Sequence, residues 1–246
     1  MSEPSTSRPV PAPTSRATVV LVHGAFADSS SWNGVIARLR SHVVAVTAVA
    51  NPLRTLSGDG RYVADVLASI PGPVVLVGHS YGGSVITQAA ADAPNVAALV
   101  YVAAFAPADG ESALELSGKF PGSTLGDTLT SYPLTGGGTE LAIRQEAFAQ
   151  QFAADVDPAT AELMAAGQRP ATAEALGEGL AVGTPAWERL PSTFVLAGGD
   201  RNIPPEAVRF MAQRAGGRLV EIAGASHAVA VSHPEEVADA VLAAVA

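Results

Sequence analysis

The chain of 246 residues contains no cysteine, and 48% of its residues are hydrophobic. That is enough apolar surface for one large core, with no thiol for a disulfide, a thiolate metal site or a cysteine nucleophile. Its 14 basic and 23 acidic residues give a formal charge of −9 without any Lys/Arg cluster, which excludes electrostatic attraction to nucleic acid or an anionic membrane and favours small neutral partners.

Residues 1–16 hold four prolines among several Ser and Thr and lack the charged start and apolar run of a signal peptide, so a disordered lead is expected there. No apolar stretch reaches the ~18–20 residues of a bilayer span uninterrupted; a soluble protein is expected, with the cytoplasm as its default compartment. From residue 17 onward, short β-branched runs alternate with helical patterns, as in parallel strands joined by right-handed helical crossovers. Strands are expected over 17–22, 42–49, 74–77, 96–105, 193–197 and 218–222. Between the first two, Ser31 is placed to cap a helix with Trp32, Val35, Ile36 and Leu39 on one face. Val63, Val66, Leu67 and Ile70 repeat that spacing before Pro71-Gly72-Pro73, and residues 84–91 read as a helix that Pro94 stops. The last helix opens at Pro234, with Glu235 and Glu236 in the first turn, where the dipole favours acids. These elements predict the α/β class: a mostly parallel six-stranded sheet flanked by helices. The rhythm breaks between the fourth and fifth strands. Segments 140–154 and 158–167 there have helical spacing, so 106–190 is expected to form a helical cap over the sheet's carboxyl edge, where open α/β folds bind ligands. The core is then 17–105 together with 191–246.

Gly78-His79-Ser80-Tyr81-Gly82 follows the apolar run 73–77 and opens a helical pattern. A strand reversing this sharply into a helix holds its serine in a strained backbone conformation and exposes the hydroxyl, provided that flanking residues lack a Cβ. Such a serine needs a base and a carboxylate to orient it, in the chain order Ser, Asp or Glu, His. Asp200 closes 194–199 and His227 follows 221–226, each just past a strand, so both are expected at the edge where Ser80 sits. Asp109, after the fourth strand, is the second acid able to reach a histidine; Asp200 is preferred because its strand should adjoin the one leading to His227. Of the other histidines, His23 is expected to anchor the loop after the first strand and His42 to face solvent. His79 should point away from the cleft, and His233, before Pro234, should cap a helix. Acyl transfer also requires fixed donors for an oxyanion. The backbone N–H of Tyr81, at a helix N-terminus, and that of Ala25, in the loop His23-Gly24-Ala25-Phe26, are the expected pair.

With these residues the chain resembles an α/β-hydrolase fold protein, and more narrowly the small branch that includes plant methyl-ester esterases and hydroxynitrile lyases. The resemblance runs from residue 17 to 246 and rests on His23-Gly24-Ala25-Phe26, Gly78-His79-Ser80-Tyr81-Gly82-Gly83, Gly199-Asp200 and Ser226-His227. It implies an α/β-hydrolase fold, Ser80, Asp200 and His227 as a catalytic triad, Ala25 and Tyr81 as the oxyanion hole, and neither cofactor nor metal. Phe26 and Phe105 are expected to line the pocket. The lyases of that branch carry a threonine and a lysine where this chain has Gly24 and Ala228. Without an ammonium to stabilise departing cyanide, the expected activity is a carboxylesterase acting on small to medium uncharged esters or lactones through an acyl-enzyme on Ser80. A hydroxynitrile-lyase-like or cofactor-free perhydrolase activity, and a non-catalytic small-molecule binder, stand as alternatives on the same scaffold.

Overall fold

A computed structural model describes residues 17–245; the expected lead over 1–16 lies outside them. In chain order, β1 (Thr18–Val22) leads through a 3-10 turn into α1 (Asn33–Ser41), followed by β2 (Val46–Val49), α2 (Leu56–Ala68), β3 (Val74–His79), α3 (Tyr81–Ala89) and β4 (Val96–Val102). The intervening segment holds α4 (Ala113–Gly118), β5 (Leu129–Pro133), β6 (Thr139–Ile143), α5 (Gln145–Phe152), α6 (Pro158–Gly167), β7 (Ala171–Thr172) and α7 (Ala173–Gly177). The chain then completes β8 (Ser192–Ala197), α8 (Pro205–Arg214), β9 (Arg218–Ile222), α9 (Val229–Ser232) and α10 (Pro234–Val245).

Six strands pair in the order β2-β1-β3-β4-β8-β9, every pairing parallel. Side chains alternate across a strand, and in this sheet both faces are apolar, as expected when helices cover both. Val19 and Leu21 of β1 pack in a cluster with Trp32, Val35, Leu39, Val237 and Val241, whereas Val20 and Val22 join Leu56, Val63, Val85 and Met211. Helices α1 and α10 thus cover one face, and α2, α3 and α8 the other. No helix among the described residues is long and apolar enough to cross a membrane.

The structure corrects four local expectations. The 3-10 turn before α1 is capped by Asp28, whose Oδ1 accepts from the Ser30 N–H at 2.7 Å, while the Ser31 hydroxyl donates to the Asp28 carbonyl. Strand β2 begins only at Val46, because His42 caps the end of α1 and Val43 turns the chain at φ 59°. Strand β4 ends at Val102; Ala103 takes φ 42°, and the chain then crosses the end of β3. The segment between β4 and β8 is not wholly helical: residues 139–143 form a strand, and β5, β6 and β7 make a three-stranded antiparallel sheet. Strand β5 is largely exposed, so no alternation of apolar and polar residues marks it in the sequence.

Candidate active site

Strand β3 ends at His79 and α3 begins at Tyr81, which leaves Ser80 alone to make the reversal, at φ 54° and ψ −125°. A non-glycine residue there stores about 1–3 kcal/mol of strain and persists only where its neighbours over-determine it. They do so here: Ser80 N–H donates to Val102 O at 3.2 Å, and Phe105 N–H donates to Ser80 O at 3.2 Å. Close approach does the rest. A Cβ on Gly82 would lie 2.4 Å from Val22 O, and one on Gly24 would lie 2.6 Å from the Ser80 Cβ.

Asp200 follows β8 and is held by two backbone donors, its Oδ1 accepting from Asn202 N at 2.7 Å and Ile203 N at 3.0 Å. Its Oδ2 lies 2.7 Å from His227 Nδ1, and both side chains are 1% exposed. Facing a carboxylate, Nδ1 carries the proton and donates it, which leaves Nε2 as the ring's acceptor. The adjacency of β8 and β9 brings these two loops together. The loop after β9 is fixed from below: His79 Nε2 donates to the His227 carbonyl at 2.9 Å, and the two rings lie 4.7 Å apart. It is fixed from the side as well, where Ala228 N–H donates to Phe152 O at 2.9 Å, Ser226 donates to Asp155, and the Phe152 ring stands edge-on to His227. The structure joins Asp200 to His227 but shows no hydrogen bond from His227 to the Ser80 hydroxyl. Catalytic hydrogen bonds in ligand-free sites are commonly long or poorly aligned.

The second acid is elsewhere: Asp109 is exposed and accepts from the N–H groups of Val182 and Gly183 at 2.9 and 2.8 Å. His23 is buried; Asn51 N–H donates to its Nε2 at 3.0 Å, so Nδ1 holds the proton and donates to Gly24 O at 2.9 Å. Burial lowers its pKa from the ordinary histidine value. Burial, with the neighbouring His227 second, pushes the His79 pKa well below that value too, so both rings are neutral struts. His42 is exposed. His233 does not cap α10 with its ring, which instead lies 3.3 Å from Asp155 and 3.5 Å from Glu236.

Ser80, Tyr81, Ala25, Phe26 and Phe105 share one cavity of about 160 Å³. Its remaining wall is largely apolar, with Leu114, Leu125, Leu141 and Leu176 from the segment between β4 and β8, and Asn202 and Ile203 from the loop after β8. The Phe26 and Ser80 N–H groups have carbonyl partners, in Arg169 and Val102, whereas among the described residues none is bonded to the N–H of Ala25 or Tyr81. The Tyr81 hydroxyl points away to a buried carboxylate, donating to Asp59 Oδ2 at 2.9 Å. Burial foremost, and then Asp59, raises its pKa far above the usual phenol range. A larger groove of about 340 Å³ lies beyond Phe26, between α6 and α1, and includes none of Ser80, Asp200 and His227. Among the described residues, no group of three His, Asp or Glu side chains is placed to hold a metal.

Sequence reasoning missed Asp59, Gln151, Asp155 and Asn202 as parts of this neighbourhood, as well as the bond from His79 to the His227 loop, since each acts through a partner at least 20 positions away. Each sits within about two positions of other polar residues or glycines, so no local pattern marks it.

The alpha/beta hydrolase family profile matches residues 19–240. The carbendazim hydrolyzing esterase of Nocardioides sp. (strain SG-4G) is 39% identical over 119 residues, which are 42% of this chain and 48% of that protein. Esterase PIR7B of Oryza sativa subsp. japonica is 28% identical over 256 residues, covering 92% of this chain and 94% of that protein. The crystal structure of polyneuridine aldehyde esterase is similar with a TM-score of 0.79 at 23% identity, covering 93% of this chain and 99% of that one. The family match begins in β1 and ends inside α10, so it takes in the parallel sheet apart from Thr18, the strained serine and the buried Asp–His pair, and the chain belongs to the alpha/beta hydrolase family.

Proposed function

We propose that this protein is a carboxylic ester hydrolase in which Ser80, His227 and Asp200 act as a catalytic triad. The Ser80 hydroxyl adds to the ester carbonyl carbon while its proton passes to His227 Nε2, and the tetrahedral oxyanion is taken by the N–H groups of Ala25 and Tyr81. Collapse expels the alcohol, which receives the proton from His227. Water then gives up a proton to the same nitrogen as it adds to the acyl carbon; the acyl–Oγ bond breaks, Ser80 takes the proton back from His227, and the acid is released. Asp200 holds the imidazole in the tautomer that leaves Nε2 basic. The observations that support this reading are the buried 2.7 Å pair of Asp200 and His227 and a serine kept at φ 54° in a cavity that also contains backbone donors without a partner among the described residues.

The names of the similar proteins support the same reaction class. The leucine-rich wall contributed from residues 106–190 supports uncharged substrates and a cap role for that segment. The lyase alternative is disfavoured because position 24 has no room for a threonine side chain beside Ser80 and position 228 is a buried alanine. The test is labelling with a serine-directed fluorophosphonate together with turnover of p-nitrophenyl esters of graded chain length. One covalent adduct and ester hydrolysis are expected, both lost in Ser80→Ala. An adduct or turnover that persists in that variant refutes the reading.

A further inference from the structure

The two residues that flank His227 are held by one short stretch of the segment between β4 and β8. Ser226, before it, donates its hydroxyl to Asp155 Oδ1, and Ala228, after it, donates its N–H to the Phe152 carbonyl at 2.9 Å. The Ser226 oxygen also accepts from Ala228 N–H at 3.3 Å, so the two flanks are tied to each other as well as to 152–155. The Asp155 carboxylate is itself fixed, because its second oxygen lies 3.3 Å from His233 Nε2, just before α10. The same stretch reaches the other member of the pair. Gln151, buried at the end of α5, donates from Nε2 to the Arg201 carbonyl at 2.9 Å and to Asn202 Oδ1 at 2.7 Å, and Asn202 N–H donates to Asp200. From the core, the His227 loop is held by Gly199 N–H on the Ala225 carbonyl at 2.8 Å and by His79 on the His227 carbonyl. Between those holds and β9 stands Gly224, at φ 74° with nothing within 4 Å of where a Cβ would lie, an open and permissive hinge.

We propose that Asp155 is a positioning residue: through the Ser226 hydroxyl it fixes the backbone that carries His227, and with it the direction in which Nε2 points. This rests on the esterase reading above. Asp155 does not line the cavity at Ser80, so its effect falls on the rate and not on substrate binding. Proton transfer between serine and imidazole depends steeply on geometry, and a displacement of about 1 Å costs about 100-fold in rate. Residues 106–190 then have two tasks, to wall the cavity and to set the base beside it.

The test measures kcat and KM on a p-nitrophenyl ester for the parent, Ser226→Ala, Asp155→Leu, Asp155→Asn and the double variant Ser226→Ala/Asp155→Leu. Competent sites are counted by end-point labelling with a fluorophosphonate, so protein lost to misfolding does not enter kcat per site. Ser226→Ala and Asp155→Leu are each expected to lower kcat per site by about 10- to 100-fold, with KM within about threefold of the parent. Asp155→Asn keeps an oxygen for the Ser226 hydroxyl and is expected to restore the rate at least about fivefold over Asp155→Leu. Because the two groups belong to one bond, the double variant is expected to be slower than the slower single variant by no more than about threefold. A kcat per site within about threefold of the parent in either single variant overturns the proposal, and so do losses that multiply in the double variant, a loss carried by KM, or an Asp155→Asn as slow as Asp155→Leu. Where Asp155→Leu yields no labelled sites, Ser226→Ala, which removes one hydroxyl, decides by its own kcat and KM. Hydrolysis that survives in Ser80→Ala refutes the esterase reading instead, so the two failures are distinguishable.

Discussion

Replacing Asp200 by asparagine separates the tautomer argument from structural damage. The native carboxylate makes three bonds, to the N–H groups of Asn202 and Ile203 through Oδ1 and to His227 Nδ1 through Oδ2. An asparagine can keep its oxygen on the two backbone donors, and its NH2 then faces Nδ1. That nitrogen must become the acceptor, the proton moves to Nε2, and the base that should receive the serine proton is already protonated. The rate is expected to fall by about 10⁴ in kcat with the fold retained. Stability should fall by about 2 kcal/mol for the lost charge-assisted bond, roughly 4–8 °C in Tm for a chain of this size. The assay is kcat/KM on a p-nitrophenyl ester beside a thermal melt. Asp109→Asn is the matched control, since that exposed carboxylate serves only Val182 and Gly183, and its rate should stay within about threefold, as expected for a surface change remote from the chemistry. Activity of Asp200→Asn within tenfold of the parent would refute the reasoning, and so would an Asp109→Asn loss of comparable size.

Two further outcomes follow from packing and burial. Gly82→Ala places a methyl group 2.4 Å from Val22 O and is expected to destabilise the fold by about 3 kcal/mol in urea unfolding. Gly177→Ala, with nothing within 4 Å, should stay within about 0.5 kcal/mol; equal effects would remove the close-approach argument. The buried rings of His23 and His79 have lowered pKa values, so below about pH 6.5 the unfolded chain binds protons that the folded one refuses, and stability must fall as pH drops through that value. Between about pH 7.5 and 5.5 stability is expected to fall, with the larger loss from His79 and a smaller one from His23. A flat profile in urea titrations across that window would show that these rings accept protons in the folded state.

What could be read in the chain was local. A strand, a Gly-x-Ser-x-Gly turn and a helix are contiguous, so the position of Ser80 and its strained backbone follow from spacing and from the missing Cβ atoms around it. Asp200 and His227 announce themselves by lying just past apolar runs. The β5–β6–β7 sheet did not, because an exposed hairpin draws its order from cross-strand pairing and leaves no periodic mark, and 140–143 reads as the start of the helical segment 140–154. Similarly, the sequence pointed to Ser31 as the cap, and only the backbone path puts Asp28 in that role.

The order of apolar runs and turns along the polymer thus determined the parallel sheet, the strained turn at Ser80 and the set of acids and bases that follow strands, since each depends on residues within a few positions of one another. Tertiary structure alone brought Asp200 rather than Asp109 against His227, set His79 beneath His227, and left the Asn202 NH2 group without an acceptor among the described residues. Those outcomes depend on which strands become neighbours and on how distant loops share donors and acceptors. Hydrogen bonding is directional and short-ranged, and nothing in a linear pattern encodes which remote groups will meet.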